Sequence, residues 1–219
     1  EDELLLVFHN GTVCEKLSDV SLDKKLEITS LEKKIAEDSS YLKAWQTLNT
    51  KKNSDSFNLL NDAFLKEGFV IRVKEGAHID KPLHILHLLN HEESSSAYFS
   101  KIFIHLLPSS SLHIRETSAS LDRTLSSPVC FAQSHAEVLL EEKAHLTYSS
   151  MQDSLHSTIH LHSANIRQKK SSQLDMLHLA LGGSGHMRKS FCVHLEEEHA
   201  NATLDGIHLV GEKGSSDHV

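Results

Sequence analysis

From residue 69 onward the chain repeats one plan about every thirty residues, and this repeat constrains the fold more than any other feature. Ile104 to Glu116, Val138 to Ser150, Ile166 to His178 and Val193 to His208 each read as a strand, a short polar corner of small residues, and a leucine opening a second strand. The opening leucines are Leu112, Leu146, Leu174 and Leu204, at intervals of 34, 28 and 30 residues, and a weaker copy starts at Ile79. Within the strands apolar residues alternate: Phe69, Ile71 and Val73; Ile102, Ile104 and Leu106; Ile159 and Leu161; Leu177, Leu179 and Leu181. Period-2 alternation predicts strands with one buried face, and these apolar residues are expected to point inward.

Two strands per repeat with no helix between them predict a solenoid whose turns stack their inward residues into one core. The expected geometry is mainly β: a flattened β-helix with two long strands per turn. Leucine-rich and ankyrin repeats need helices or asparagine ladders, and a propeller blade needs four strands in about 40 residues. A β-sandwich stays open, because spacing does not fix topology. Nine glycines and three prolines serve all the corners, which predicts wide turns.

The first 68 residues read as a small α+β cap, and 69–219 as the β core. Leu4 to Phe8, then Asn10-Gly11, then Val13 predict a hairpin, since Asn-Gly supplies the positive φ angles of a type I′ turn. Leu31 to Glu37 and Tyr41 to Leu48 read as polar helices. In a third helix Phe57, Leu60 and Phe64 share one face, Ser54, Asp55 and Ser56 offer N-caps, and Gly68 ends it.

Lys and Arg total 22 against 30 Asp and Glu, a formal charge of -8 that opposes nucleic-acid binding. No apolar run reaches the 18 or so residues of a membrane helix, and the Leu4–Phe8 run is too short for a signal peptide; the reading is a soluble, cytoplasmic chain. Cys14, Cys130 and Cys192 are too few and too scattered for a disulfide framework, a zinc knuckle or a cluster held by one chain, and Cys192 between Phe191 and Val193 reads as a buried inert thiol.

Eighteen histidines scattered along the chain need a place. In register, His105 matches His194 and His178 matches His208, each beside a core residue and therefore on an outward face. Neutral imidazole also binds zinc or iron, and His156, His160 and His162 form the one set that would share a face if the strand ran unbroken through all three. Other motifs fail on spacing. His194 to His199 is neither HExxH nor HxxEH; Gly182 to Gly185 is not GxSxG; Gly206 to Lys213 departs from a P-loop at Glu212; and Asp153, Ser154 and His156 are near only in sequence.

Phe57 to Val73, followed by Gly76 and by Lys81-Pro82-Leu83-His84-Ile85, resembles the entry to the core of the SufB/SufD family. Leu5 to Gly11 with Leu17-Ser18-Asp19 resembles the preceding segment in SufD members. The resemblance implies a right-handed β-helix and a non-catalytic scaffold in iron-sulfur cluster assembly, a SufD-like subunit pairing with SufB and working with the SufC ATPase. It implies no cofactor in this chain alone, a cluster forming only with a partner. The family's helical flanks have no counterpart and the chain stops at Ser215 to Val219, so a fragment is expected; its late Cys-x-His motif is expected to be missing, and no functional residue is carried over. The alternative is a metal-dependent β-helix enzyme using histidines, disfavoured by the missing six-residue period. A carbohydrate-active β-helix is disfavoured by a single tryptophan.

Overall fold

The computed structural model describes residues 2–19, 24–39, 56–90, 95–121, 129–154, 158–182, 185–211 and 214–218. The chain is mainly β, with fourteen strands and two helices among these residues: β1 Leu4–His9, β2 Thr12–Val13, β3 Leu26–Ser30, α1 Leu31–Glu37, α2 Ser56–Phe64, β4 Gly68–Val73, β5 Leu83–Leu89, β6 Ser96–Leu106, β7 Ser111–Ser120, β8 Cys130–Leu140, β9 His145–Ser154, β10 Thr158–Gln168, β11 Gln173–Gly182, β12 His186–Leu195, β13 Asn201–Val210 and β14 Ser215–His218. Tyr41 to Leu48, Ser54, Asp55 and His156 lie outside the described residues.

From β4 onward successive strands alternate between two sheets. The first has the order β13-β11-β9-β7-β5-β1-β2 and the second β14-β12-β10-β8-β6-β4-β3. Each strand therefore pairs in parallel with the strand two places on, as in Leu112↔Leu146↔Leu174↔Ala202 and Ile104↔Val138↔Ile166↔Val193. Among the described strands the end pairs β1/β2 and β3/β4 are antiparallel, and Leu5 also bridges Asp19 in the antiparallel sense. The hairpin has Asn10 at φ 51° and Gly11 at φ 82°, as a type I′ turn requires, and β1 continues the first sheet by pairing with β5.

The sheets face one another across a core of Leu4, Leu6, Phe8, Ile71, Leu83, Ile85, Ile104, Leu112, Ile114, Val138, Leu146, Ile166 and Leu174. Phe8 of the first sheet meets Phe69 of the second edge to face at 5.5 Å. Burying each such side chain contributes about 1.5–3 kcal/mol, which makes this stack the main source of stability.

Where β6, β8, β10 and β12 hand over to the next strand, the corners are tight rather than wide. Ser109, Lys143, Ser171 and His199 all take left-handed φ angles of 54–61°, with Gly76 at 65° in the preceding rung. Their amides run a ladder to the next turn: Gly76 N–H to Pro108 O, Ser109 N–H to Glu142 O, Lys143 N–H to Lys170 O, Ser171 N–H to Glu198 O. The ladder holds non-glycine residues in a region that costs each about 1–2 kcal/mol.

Several inward assignments are corrected. Leu204 pairs with Met176, so the true successor of Leu174 is Ala202. Leu177 is 43% exposed, while its neighbours Met176 and His178 are buried; Ile159 and Leu161 are likewise outside, and His160 and His162 inside. Helix α2 turns its polar side to the second sheet. Asn61 Nδ2 donates to Ser100 O and Gln133 O, Lys101 Nζ donates to Asp62 Oδ1 at 2.6 Å, and Phe64 is left 59% exposed, stacked on Phe99. The helix ends at Phe64, and Gly68 opens β4 instead.

Candidate functional site

The interior is divided lengthwise. Near the tight corners it is apolar except at Gln168, whose amide donates to Ser172 O and Asn201 O; toward the opposite edge the rungs contribute polar side chains. The strands dictate this, because an inward residue recurs every second position and the inward series of β10 runs Thr158, His160, His162, Ala164, Ile166. On the first sheet Glu116, Ser150 and His178 are register neighbours; on the second, Ser134, His162 and Lys189 are. All six are buried, with His87, Tyr148 and His160 beside them.

The two rows bond along themselves and across. Ser134 Oγ lies 2.8 Å from His162 Nδ1, and Ser150 Oγ 3.0 Å from His178 Nδ1. Across the interior, Lys189 Nζ donates to Ser150 Oγ at 3.1 Å, and His162 Nδ1 is 3.8 Å from Glu116 Oε1. Glu116 also accepts from the Tyr148 hydroxyl, and His87 Nε2 sits 3.0 Å from its Oε1, within ion-pair reach but poorly aligned for a hydrogen bond. Farther along, the rings of His178 and His208 meet edge to face at 5.0 Å, and His208 Nδ1 reaches Ser216 Oγ at 2.6 Å.

Burial sets the charges. It opposes ionisation of Glu116, but His162, His87 and Lys189 outweigh it and hold the carboxyl well below the usual range. Burial pushes Lys189 down to about 8 against the attraction of Glu116, pushes His162 down to about 3, and lowers His160 strongly with help from Lys189. Burial and the neighbouring Glu116 raise the Tyr148 phenol well above its ordinary value. At neutral pH the interior thus holds one carboxylate, one ammonium, and His160 and His162 as neutral imidazoles that can each donate and accept.

His160 and His162 share the inward face, as the sequence spacing implies for these two, whereas β10 begins only at Thr158. The expected outward faces for His178 and His208 are wrong: both turn inward, and His208 registers with Ala180 rather than with His178. His105 and His194 do occupy one row, through Leu139 and Arg167, and lie on the outer face. Sequence reasoning missed His87, Glu116, Tyr148, Ser150 and Lys189. Their signal was the phase of alternation, since each is an even number of residues from a core residue on its own strand.

The cysteines do not converge. Cys130 is buried at the start of β8, its thiol pushed up to about 11 by burial; Cys14 follows β2; Cys192 is partly exposed, contrary to the buried reading, with Sγ 3.2 Å from His194 Nε2. The Cys-x-His spacing is therefore present at Cys192-Val193-His194, a pair the sequence reading passed over. Among the described residues no group of three or more His, Cys, Asp or Glu is arranged to hold a metal, and no helix is long and apolar enough to cross a membrane.

Two parallel-rich sheets with alternating strands, a buried polar row between them and dispersed thiols define a mainly β protein. Residues 87–219 match the model of the SufBD core domain of the SUF system for iron-sulfur cluster assembly, and residues 2–85 match the SufBD protein N-terminal region. The chain belongs to the SufB/SufD family and to the SUF system of iron-sulfur cluster assembly. No curated protein matches it.

Proposed function

We propose that this chain is a SufD-like, non-catalytic scaffold subunit, coiled as a right-handed β-helix, that pairs with a SufB-like subunit and works with a SufC-like ATPase in the cytoplasm. The observation that carries the reading is the dispersion of Cys14, Cys130 and Cys192 over three separate places in a chain whose family assembles clusters. A cluster held by one chain takes about four thiolates, so a partner must complete any site. Leu5 to Gly11 and Leu17-Ser18-Asp19, the segment similar to SufD members, supports the SufD assignment over SufB.

The test is co-expression of the full-length protein with SufB and SufC from the same source, followed by size-exclusion chromatography and by iron and acid-labile sulfide assay under anaerobic conditions. The expected result is co-elution, with iron and sulfide on the complex and neither on this chain alone. Failure to co-elute with either partner overturns the pairing. Stoichiometric iron and sulfide on the isolated chain overturns the scaffold role, and stoichiometric zinc without sulfide returns a histidine-site enzyme.

A further inference from the structure

The polar half of the interior has more hydrogen-bonding capacity than its own side chains use. An ammonium has three donors, and among the described residues the Lys189 ammonium has one acceptor, Ser150 Oγ. His162 Nε2 is buried with no partner among them, directly beside Lys189 in register. Buried polar groups left open in this way are normally met by water. At one end a cavity of about 20 Å³ is lined inwardly by His87, Ser134 and His160 and, on its partly exposed side, by Gly11 and Tyr98. Roughly 10–15 Å³ of such space suffices for one water.

We propose that these groups form a proton relay, completed by buried water, running from the Tyr98 cavity through Ser134, His162, Lys189, Ser150 and His178 to His208 and Ser216, with His160 and Glu116 flanking its first half. The geometry favours transport over a static network for three reasons. The relay groups are imidazoles, hydroxyls, a carboxyl and an ammonium, each able to pass a proton. Ser134, His162 and Lys189 occupy β8, β10 and β12 of the second sheet, Ser150 and His178 occupy β9 and β11 of the first, and the Lys189–Ser150 bond joins the two rows. Both ends reach partly exposed residues, Tyr98 and Ser216.

The step balances without any other reactant. Each imidazole takes a proton on one ring nitrogen and releases the proton of the other to the next acceptor, finishing as the opposite tautomer. Each hydroxyl or water likewise accepts one proton and gives up another; Glu116, beside His162, can hold the proton in transit; and the Lys189 ammonium, which has no lone pair, first releases a proton to Ser150 and is then reprotonated from the His162 side. One proton enters, one leaves, and no group changes net charge. A use follows from the SUF reading and rests on it: thiols and hydrosulfide lose protons when they bind iron, and those protons must leave the assembly site. The relay itself stands on the interior alone.

The experiment is hydrogen exchange between solvent and the Lys189 ammonium, followed by NMR on the uniformly ¹⁵N-labelled chain, with backbone amides of Ile166 and Leu146 reporting global opening in the same sample. The expected result is that Lys189 protons exchange at least about a thousandfold faster than these core amides, and that His162→Phe and Ser134→Ala each slow them by about tenfold or more while the amide rates hold. Outward Ser163→Ala is the control and leaves the rate unchanged. If His162→Phe disturbs folding, Ser134→Ala, which deletes one hydroxyl, carries the test. Lys189 protons exchanging only as fast as the core amides would show a sealed, static network. Fast exchange that neither variant alters would show direct solvent entry. Either outcome overturns the relay without touching the SUF assignment.

Discussion

Replacing Lys189 by Met should stabilise the protein at neutral pH. Lys189 is 3% exposed, and its pKa lies at about 8 instead of the ordinary value near 10.4. That depression already includes the pull of Glu116, so desolvation of the ammonium wins. A lysine whose folded pKa is depressed binds fewer protons in the fold than in the unfolded chain between the two values. Stability therefore rises with pH from about 8 toward 10, by at most about 1.4 kcal/mol per pH unit, and the charged form at pH 7 costs about 3 kcal/mol. Methionine fills a similar volume without charge but forfeits the Ser150 hydrogen bond, about 1 kcal/mol. The net expectation is about 2 kcal/mol of added stability at pH 7 and loss of the rise between pH 8 and 9.5. Above pH 10 the raised Tyr148 phenol acts oppositely, because the unfolded chain loses that proton first. Urea unfolding followed by circular dichroism at half-unit steps from pH 6.5 to 9.5, on wild type and Lys189→Met, reads both numbers. A variant less stable than wild type at pH 7 would refute the reasoning, as would a wild-type curve flat from pH 8 to 9.5.

Other substitutions probe separate parts of the fold. Gly11→Ala places a Cβ 2.9 Å from the Phe99 carbonyl oxygen at φ +82°, and should cost about 1–3 kcal/mol in thermal or urea unfolding. Lys143→Gly, at a left-handed corner position, should raise stability by about 0.5 kcal/mol, the relief of strain exceeding the added freedom of the unfolded chain. Phe8→Ala, which empties a fully buried position between the sheets, should lose about 3–5 kcal/mol in the same assay. Asn61→Ala leaves the carbonyls of Ser100 and Gln133 without their side-chain donor; the expected cost is about 1–3 kcal/mol, with faster amide exchange in α2 than in β6 or β8.

The strands, the hairpin and the repeat were legible because alternation of period 2 and the Asn10-Gly11 pair follow directly from backbone geometry. Which face of a late strand points inward was not. Leu177, Leu179 and Leu181 form an apolar outer stripe, while the same strand sends Met176 and His178 inside. Pattern alone does not separate the two phases when both faces carry apolar residues. Partial satisfaction by Ser134, Ser150, Glu116 and Lys189 lets histidines occupy core positions, and that mutual dependence spans residues up to 73 apart in sequence, beyond the reach of any local motif. Helix α2 misled for a similar reason. Its apolar spacing was real, but Asn58, Asn61 and Asp62 found bonds on the sheet that outweighed burial of Phe64. The corner residues gave no signal at all, since Ser, Lys and His share no propensity that marks a left-handed angle.

The corner ladder has a consequence for how such a chain can change length. Each left-handed residue from Gly76 to Ser171 donates its amide to the next turn, and the β6–β7, β8–β9 and β10–β11 corners so joined all span four residues. On the opposite edge the spacing varies: six residues separate β5 from β6, nine separate β7 from β8, and three separate β9 from β10 and β11 from β12. The irregular spacing of Leu112, Leu146 and Leu174, 34 then 28 residues, is taken up wholly on that edge. The molecule thus has a bound spine and a fore-edge of uneven width, like a book, and the widest margin, between Ser120 and Cys130, is the place to insert a tag or reporter domain.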